Sequence, residues 1–204
     1  MRTELLTVYI VDDDAAVRDS LSLMLGLAGY RTALFADAEA FLTGWREDWT
    51  GCLVTDLRLP GKSGIELQAA LRARGSPLPV VIITAHGDVP SARSAFRAEA
   101  VDFLEKPFDD AQLRAAIDRA YALEQRRLET HNTRRADVAR LERLTARERE
   151  VLEHAARGLH AKEIGAALGI SARTVEVHKT RIMEKLGVRN IAELVRFAVA
   201  ASRR

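Results

Sequence analysis

Residues 80–84 read Val-Val-Ile-Ile-Thr and residues 52–56 read Cys-Leu-Val-Thr-Asp. Neither run alternates apolar with polar residues, and an apolar run without alternation is the pattern of a central strand covered by helices on both faces. Working outward, β-rich runs recur at Thr7–Val11, Arg31–Phe35, Cys52–Thr55, Val80–Ile83 and Val101–Leu104, with helix-like segments between them. Strands alternating with helices predict a parallel α/β sheet. The run RTALFA at 31–36 is the weakest of the five, which places strand 2 at an edge.

Right-handed crossovers make all parallel strands point the same way, so their C-terminal residues emerge along one edge, where open α/β sheets bind ligands. Asp12, Asp13 and Asp14 follow strand 1, Asp56 follows strand 3, Thr84 follows strand 4, and Lys106 with Pro107 follows strand 5. Several carboxylates on one concave edge repel each other unless a cation joins them. A donor set of oxygens without His or Cys suits a hard ion such as Mg²⁺. A lysine ammonium and a threonine hydroxyl aimed at the same point complete a pocket for a tetrahedral oxyanion. The chemistry suggested is phosphoryl transfer to a carboxylate, with Asp56 as nucleophile. The competing reading is capping: an Asp after a strand often N-caps the next helix, and Asp14, or the whole Asp run, could serve that way.

The chain has 204 residues, 48% hydrophobic, with a formal charge of +2. Residues 1–120 carry 13 Lys+Arg against 18 Asp+Glu, whereas residues 121–204 carry 18 against 11, so the balance conceals an acidic and a basic part. All five prolines and nine of the eleven aromatics precede residue 110, which argues for two domains. A lone Cys52 excludes an intramolecular disulfide and a cysteine-based zinc site. No apolar run approaches the ~18–20 residues of a membrane span, and the N-terminal MRTELLTVYI lacks a signal-peptide core, so a cytoplasmic protein without membrane contact is expected.

The strings VDDDAAVR, LVTDLRLPGKSGIEL, VIITAHGD and DFLEKPF carry the acidic pair, the acceptor, the hydroxyl and a Lys-Pro in that order. As a set they resemble the receiver domain of two-component response regulators. The resemblance implies a flavodoxin-like, doubly wound sheet of order 2-1-3-4-5, phosphorylation on Asp56, and Mg²⁺ held by Asp12, Asp13, Asp56 and the carbonyl of Arg58. Thr84 and Lys106 would bond the phosphoryl oxygens, Thr84 and Phe103 would form the conformational switch, and the Lys106–Pro107 peptide would be cis. An aromatic in a buried strand is also ordinary core, so both roles stay open for Phe103. One departure stands out: Glu99 occupies a corner where receivers commonly carry Gly. If that corner needs positive φ, Glu99 sits there at some cost.

From Phe108 to Arg157 there is neither Gly nor Pro, and Asp109 with Gln112 reads as a capping box opening a long helix. Leu113, Ile117 and Ala120 would pack on the sheet, while the stretch beyond Glu124 is too polar to bury. A helix reaching about residue 140 would extend about 45 Å at ~1.5 Å per residue. His131–Thr133 is its expected fraying point, and the weak heptad at Leu123, Leu128, Val138, Leu141 and Leu144 favours a solvated spacer over a dimer seam.

In the last quarter, Thr145 with Glu148 opens a helix that Gly158 stops; the next runs Ala161–Leu168 to Gly169; Ser171 caps a third that ends at Gly187; Asn190 with Glu193 opens a fourth. The short turn at 169–171 reads as helix-turn-helix. At ~100° per residue, Val175, Ile182 and Leu186 of the third helix face inward, while Arg173, Glu176, Val177, Thr180 and Glu184 face out beside Arg181, positioned for a DNA major groove.

The string LTAREREVLEHAARGLHAKEIGAALGISARTVEVHKTRIMEKLGV is similar to the LuxR-type DNA-binding domain. With a receiver, it places the chain among proteins resembling the NarL/FixJ class of transcriptional regulators. That pattern implies base-facing roles for Glu176, Val177 and Thr180, and phosphate contacts from Thr174, Lys179, Arg181 and Lys162. The expected organisation is a receiver at 1–123, a helical linker at 124–143 and a DNA-binding domain at 144–204. The expected partners are a sensor histidine kinase, double-stranded DNA and, on activation, a second copy, with RNA polymerase left open. Phosphorylation could act by dimerisation or by release of inhibition. A competing enzyme, an aspartate-nucleophile phosphatase, would need a substrate cap, and no insertion long enough for one interrupts the first 108 residues. A partner-binding adaptor would differ by not binding DNA.

Overall fold

Strands β1 (Thr7–Val11), β2 (Arg31–Phe35), β3 (Gly51–Asp56), β4 (Val80–Thr84) and β5 (Asp102–Glu105) form one parallel sheet in the order β2-β1-β3-β4-β5. The structure is a computed structural model that describes residues 6–85, 93, 95, 99–190, 193–195 and 197. Helices α1 (Ala15–Leu27), α2 (Ala38–Gly44), α3 (Gly64–Ala73) and α4 (Asp110–Glu142) belong wholly or in part to the sheet-bearing portion; α5 (Ala146–Ala156), α6 (Ala161–Leu168) and α7 (Ala172–Leu186) follow. The chain divides into two compact units, residues 1–128 and 129–204.

In the first unit β1, β3 and β4 are buried on both faces, which is why their sequence lacks alternation, whereas β2 and β5 at the two edges are only partly buried. Tyr9, Val11, Leu53, Val80 and Ile82 pack with Phe41 of α2 and with Leu67 and Leu71 of α3. On the other face Val8, Ile10, Val54, Val81 and Ile83 pack with Leu21 and Leu25 of α1 and with Leu113, Ala116, Ile117 and Ala120 of α4. Each fully buried aliphatic side chain contributes roughly 1.5–3 kcal/mol, an upper bound because unfolded chains already bury some surface. The expected edge position of strand 2 and the order 2-1-3-4-5 are what the sheet has. Strand 3 runs one residue further than expected, making Asp56 its last member, and strand 5 is shifted by one, leaving Val101 before it.

Asp109 and Gln112 exchange backbone-to-side-chain bonds of 2.7 and 3.0 Å at the start of α4. The helix passes unbroken through His131–Thr133, where fraying was expected. Poor helix formers cost only a few tenths of a kcal/mol each, and the Thr133 hydroxyl bonds back to the Glu129 carbonyl at 2.8 Å. Glu124, where burial was expected to end, is itself buried and paired with Arg127.

In the second unit Leu144, Val151, Leu152, Ile164, Val175, Ile182 and Leu186 form a separate core. Thr145 and Glu148 form the expected capping box on α5, and Gly169 and Gly187 end α6 and α7 in the left-handed conformation. Asn190 Oδ1 accepts from the Glu193 amide at 2.9 Å, as expected of a helix start; most of the fourth helix lies outside the described residues.

Candidate phosphoacceptor site and nucleic-acid interface

Register brings the strand ends together. Val11 pairs with Thr55, Asp56 with Ile83 and Thr84 with Glu105, so Asp12, Asp56, Thr84 and Lys106 emerge within one step of each other along one edge. Asp12 is 1% exposed, and its Oδ1 accepts from the Asp14 amide at 2.9 Å. Asp14 caps α1 through the Ala16 amide at 2.8 Å, so the capping reading holds for that residue. Asp56 caps nothing, because α3 is capped by Ser63 with a complete capping box.

Lys106 Nζ donates to Asp12 Oδ2 at 2.8 Å and to Asp56 Oδ2 at 3.3 Å. Burial pushes the Asp56 carboxyl above its ordinary 3.8, although the Lys106 charge and the Arg58 amide pull the other way. Burial disfavours the Lys106 ammonium, but the bond to Asp12 and the two carboxylate charges outweigh it and hold its pKa above 10.5. Asp12, Asp13 and Asp56 each offer an oxygen within 4.8 Å of the others, an all-oxygen set that fits a hard divalent cation. The Arg58 amide lies 3.3 Å from Asp56 Oδ1. Thr84 is buried at the end of β4, and its carbonyl accepts from the Lys106 amide at 2.7 Å. Phe103 is half buried and packs on the core of the α2–α3 face, and the Lys106–Pro107 peptide is cis.

In the second unit α6 and α7 meet at a short turn. Gly165 of α6 faces that turn so closely that a Cβ there would lie 2.6 Å from the Ile170 carbonyl oxygen. Arg147 closes the same corner by donating to the Leu168 carbonyl. Along α7, Val175, Ile182 and Leu186 are buried, whereas Arg173, Glu176, Val177, Thr180 and Arg181 are exposed, as is Lys162 on α6. Thr174 and Lys179 are half buried. Thr174 Oγ1 is 2.8 Å from the Ser171 hydroxyl, and Lys179 Nζ donates to Glu176 Oε1 at 3.0 Å. The outward face thus carries Arg173, Arg181 and an internally neutralised Glu176–Lys179 pair.

Residues 8–118 match the family described as response regulator receiver domain, and residues 142–198 match the bacterial regulatory proteins of the luxR family. The chain belongs to the FixJ-type response regulators. It is 43% identical over 194 residues to the transcriptional regulatory protein FixJ of Bradyrhizobium diazoefficiens, covering 95% of each chain. It is also 43% identical to the C4-dicarboxylate transport transcriptional regulatory protein DctR of Rhodobacter capsulatus, covering 93% of this chain and 98% of that one. Among solved structures, the response regulator StyR superposes with a TM-score of 0.82 at 43% identity, covering 95% of this chain and 98% of that one.

Sequence reasoning passed over two residues that shape the acidic edge of this response regulator. Arg18 Nη1 donates to the Asp12 carbonyl at 2.6 Å, tying α1 to the loop that carries the acids. Gly64 stands where a Cβ would lie 2.3 Å from the Asp56 carbonyl oxygen, so only glycine lets the start of α3 pack against the end of β3. The glycine directly after a capping serine was the available signal.

Proposed function

We propose that this response regulator controls transcription by accepting a phosphoryl group on Asp56 from a sensor histidine kinase, and that the phosphorylated form binds DNA as a dimer. The observation that carries this reading is the Lys106 ammonium bridging Asp12 and Asp56 at the sheet edge. In the transfer, an Asp56 carboxylate oxygen attacks phosphorus, a P–O bond forms, and the P–N bond to the donor histidine breaks with its electron pair returning to nitrogen. Lys106 moves from Asp56 onto a phosphoryl oxygen, and the Thr84 hydroxyl bonds another. Asp12, Asp13, Asp56 and the Arg58 carbonyl would hold Mg²⁺, which supplies positive charge against the gathered oxygens. The acyl phosphate carries information rather than leading to a released product, so the chain is a regulator and not an enzyme.

The proposed organisation is a receiver at 1–123, a helical linker at 124–143 and a DNA-binding domain at 144–204. Glu176, Val177 and Thr180 would face bases; Lys162, Arg173, Thr174, Lys179 and Arg181 would serve phosphates or the groove wall. Lys179 must leave Glu176 to do so. Pairing two DNA-binding units on one duplex raises avidity without new contacts, which is what dimerisation on activation supplies. RNA polymerase is a further contact compatible with this role. Among the described residues no helix is long and apolar enough to cross a membrane, and a cytoplasmic location accords with the proposed partners. Transfer of labelled phosphate from a histidine kinase to the wild-type chain, and its loss in Asp56→Asn, tests the reading; label retained in Asp56→Asn would refute it.

A further inference from the structure

A cavity of about 380 Å³ opens in the first unit at the sheet edge opposite the acidic site. Its lining includes Val80, where β4 begins, and Val101, just before β5; these are the strands whose other ends carry Thr84 and Lys106. A five-residue strand separates the two edges by ~17 Å. Leu71 and Leu78 give the cavity a buried apolar floor, Pro77 and Pro79 fix the backbone of its wall, and the half-exposed Leu123 of α4 stands at its rim. The volume falls within the ~300–1,000 Å³ typical of small-molecule sites.

Two ion pairs line this cavity, and they differ in kind. Arg127 donates Nε and Nη2 to the two oxygens of Glu124 at 2.7 and 2.8 Å, and the Glu124 side chain is fully buried. Separating that pair would strand a buried carboxylate, so it is a fixed part of the wall. Arg72 donates Nη2 to Glu99 Oε2 at 2.7 Å, and the Glu99 side chain is 77% exposed. Glu99 can leave Arg72 for water at little cost. Its backbone sits at φ 60, a region that disfavours residues with a side chain. The Arg72 guanidinium thus stands in a mixed lining, beside the apolar floor of the cavity, with a weakly held, exchangeable carboxylate on it.

We propose that this cavity binds an amphipathic monocarboxylate, with the ligand carboxylate replacing Glu99 on Arg72 and its apolar tail lying over Leu71, Leu78, Val80 and Val101. A cationic head group has no equivalent place, because the two carboxylates of the lining already accept from arginines, Glu124 from Arg127 and Glu99 from Arg72. Glu99 acts as a built-in competitor, which gives a consequence to a carboxylate in a strained turn.

Calorimetric titration of the full chain with octanoate tests the proposal, with octanamide as the uncharged control. Octanoate binds saturably, and octanamide binds at least ~10-fold more weakly, because a charged hydrogen-bonded pair is lost. Arg72→Gln weakens octanoate at least ~10-fold, while Glu99→Gly, which removes the competitor and the strained side chain together, tightens it ~2–5-fold. Asp56→Ala binds octanoate as the wild type does, which separates this site from the phosphoacceptor reading. Equal affinity for octanoate and octanamide, absence of saturable binding, unchanged affinity in Arg72→Gln, or weaker binding in Glu99→Gly would each overturn it.

Discussion

Lys106 Nζ lies 2.8 Å from Asp12 Oδ2, joining the end of β5 to the loop after β1 across the two strands between them. The same ammonium reaches Asp56 on β3, so one cation holds two carboxylates in place before any phosphoryl group arrives. Replacing it by Lys106→Met removes a donor aimed at the charge that develops during transfer. The phosphorylation rate falls by about 10²–10³-fold, as for removal of one oxyanion donor. Stopped-flow measurement with a small-molecule phosphodonor checks this, with folding verified by circular dichroism.

Glu148 gives the second unit a defined pH response. Burial works against its ionised form, but the Lys185 ammonium at 2.7 Å and the Thr145 amide and hydroxyl outweigh it, holding the carboxyl below its ordinary 4.5. A depressed acid stabilises the fold above its unfolded pKa and ceases to as pH falls through the folded one. Hydrogen-exchange protection of α5 and α7 is therefore level above pH 4.5 and declines below it, beyond the loss expected from exchange chemistry alone. Glu148→Gln lowers protection at neutral pH and flattens the decline.

Gly165 sets how closely α6 approaches the turn before α7. With 2.6 Å between a hypothetical Cβ and the Ile170 carbonyl, Gly165→Ala must displace backbone, and crowding of this kind costs about 1–3 kcal/mol. Alanine ordinarily stabilises a helix relative to glycine, so a loss of stability in urea unfolding followed by hydrogen exchange of α6 and α7 checks the close approach directly.

The exposed face of α7 divides by chemistry. Arg181→Ala and Lys162→Ala each reduce the salt dependence of DNA binding by about one unit of slope and weaken all sequences alike. Glu176→Ala changes which sequence is preferred, because its carboxylate can accept from a base edge, and costs about 1–3 kcal/mol of discrimination at one position. Binding titrations at several salt concentrations, together with selection of bound sequences, distinguish the two classes.

The strands and the acidic edge were legible because both rest on local pattern: VVII and CLV announce burial on two faces, and parallel strands must deliver Asp12, Asp56, Thr84 and Lys106 to one edge. The helical boundaries of the second unit were legible for the same reason, since Thr145, Gly169, Ser171 and Gly187 act within a turn of themselves. Glu124 was not legible: its burial depends on Arg127 one turn later and on the floor of α3 and β4, which no local pattern reveals. The continuity of α4 through His131–Thr133 is not legible either, because weak propensities cost only a few tenths of a kcal/mol each and the bond from the Thr133 hydroxyl to the Glu129 carbonyl shows only in the folded helix. Gly165 is not legible because a glycine needed for close approach inside a helix looks in sequence like any other, whereas Gly64 carried a signal in its place directly after the capping Ser63.

In the proposed function, the chemical state of Asp56 governs DNA binding by the second unit. The affinity of the full chain for a selected DNA site, measured with and without the phosphoryl mimic beryllofluoride in the wild type and in Asp56→Asn, tests it most directly. The mimic tightens binding by the wild type and leaves Asp56→Asn unchanged. Equal affinity in both states, or an equal response in the variant, would contradict it.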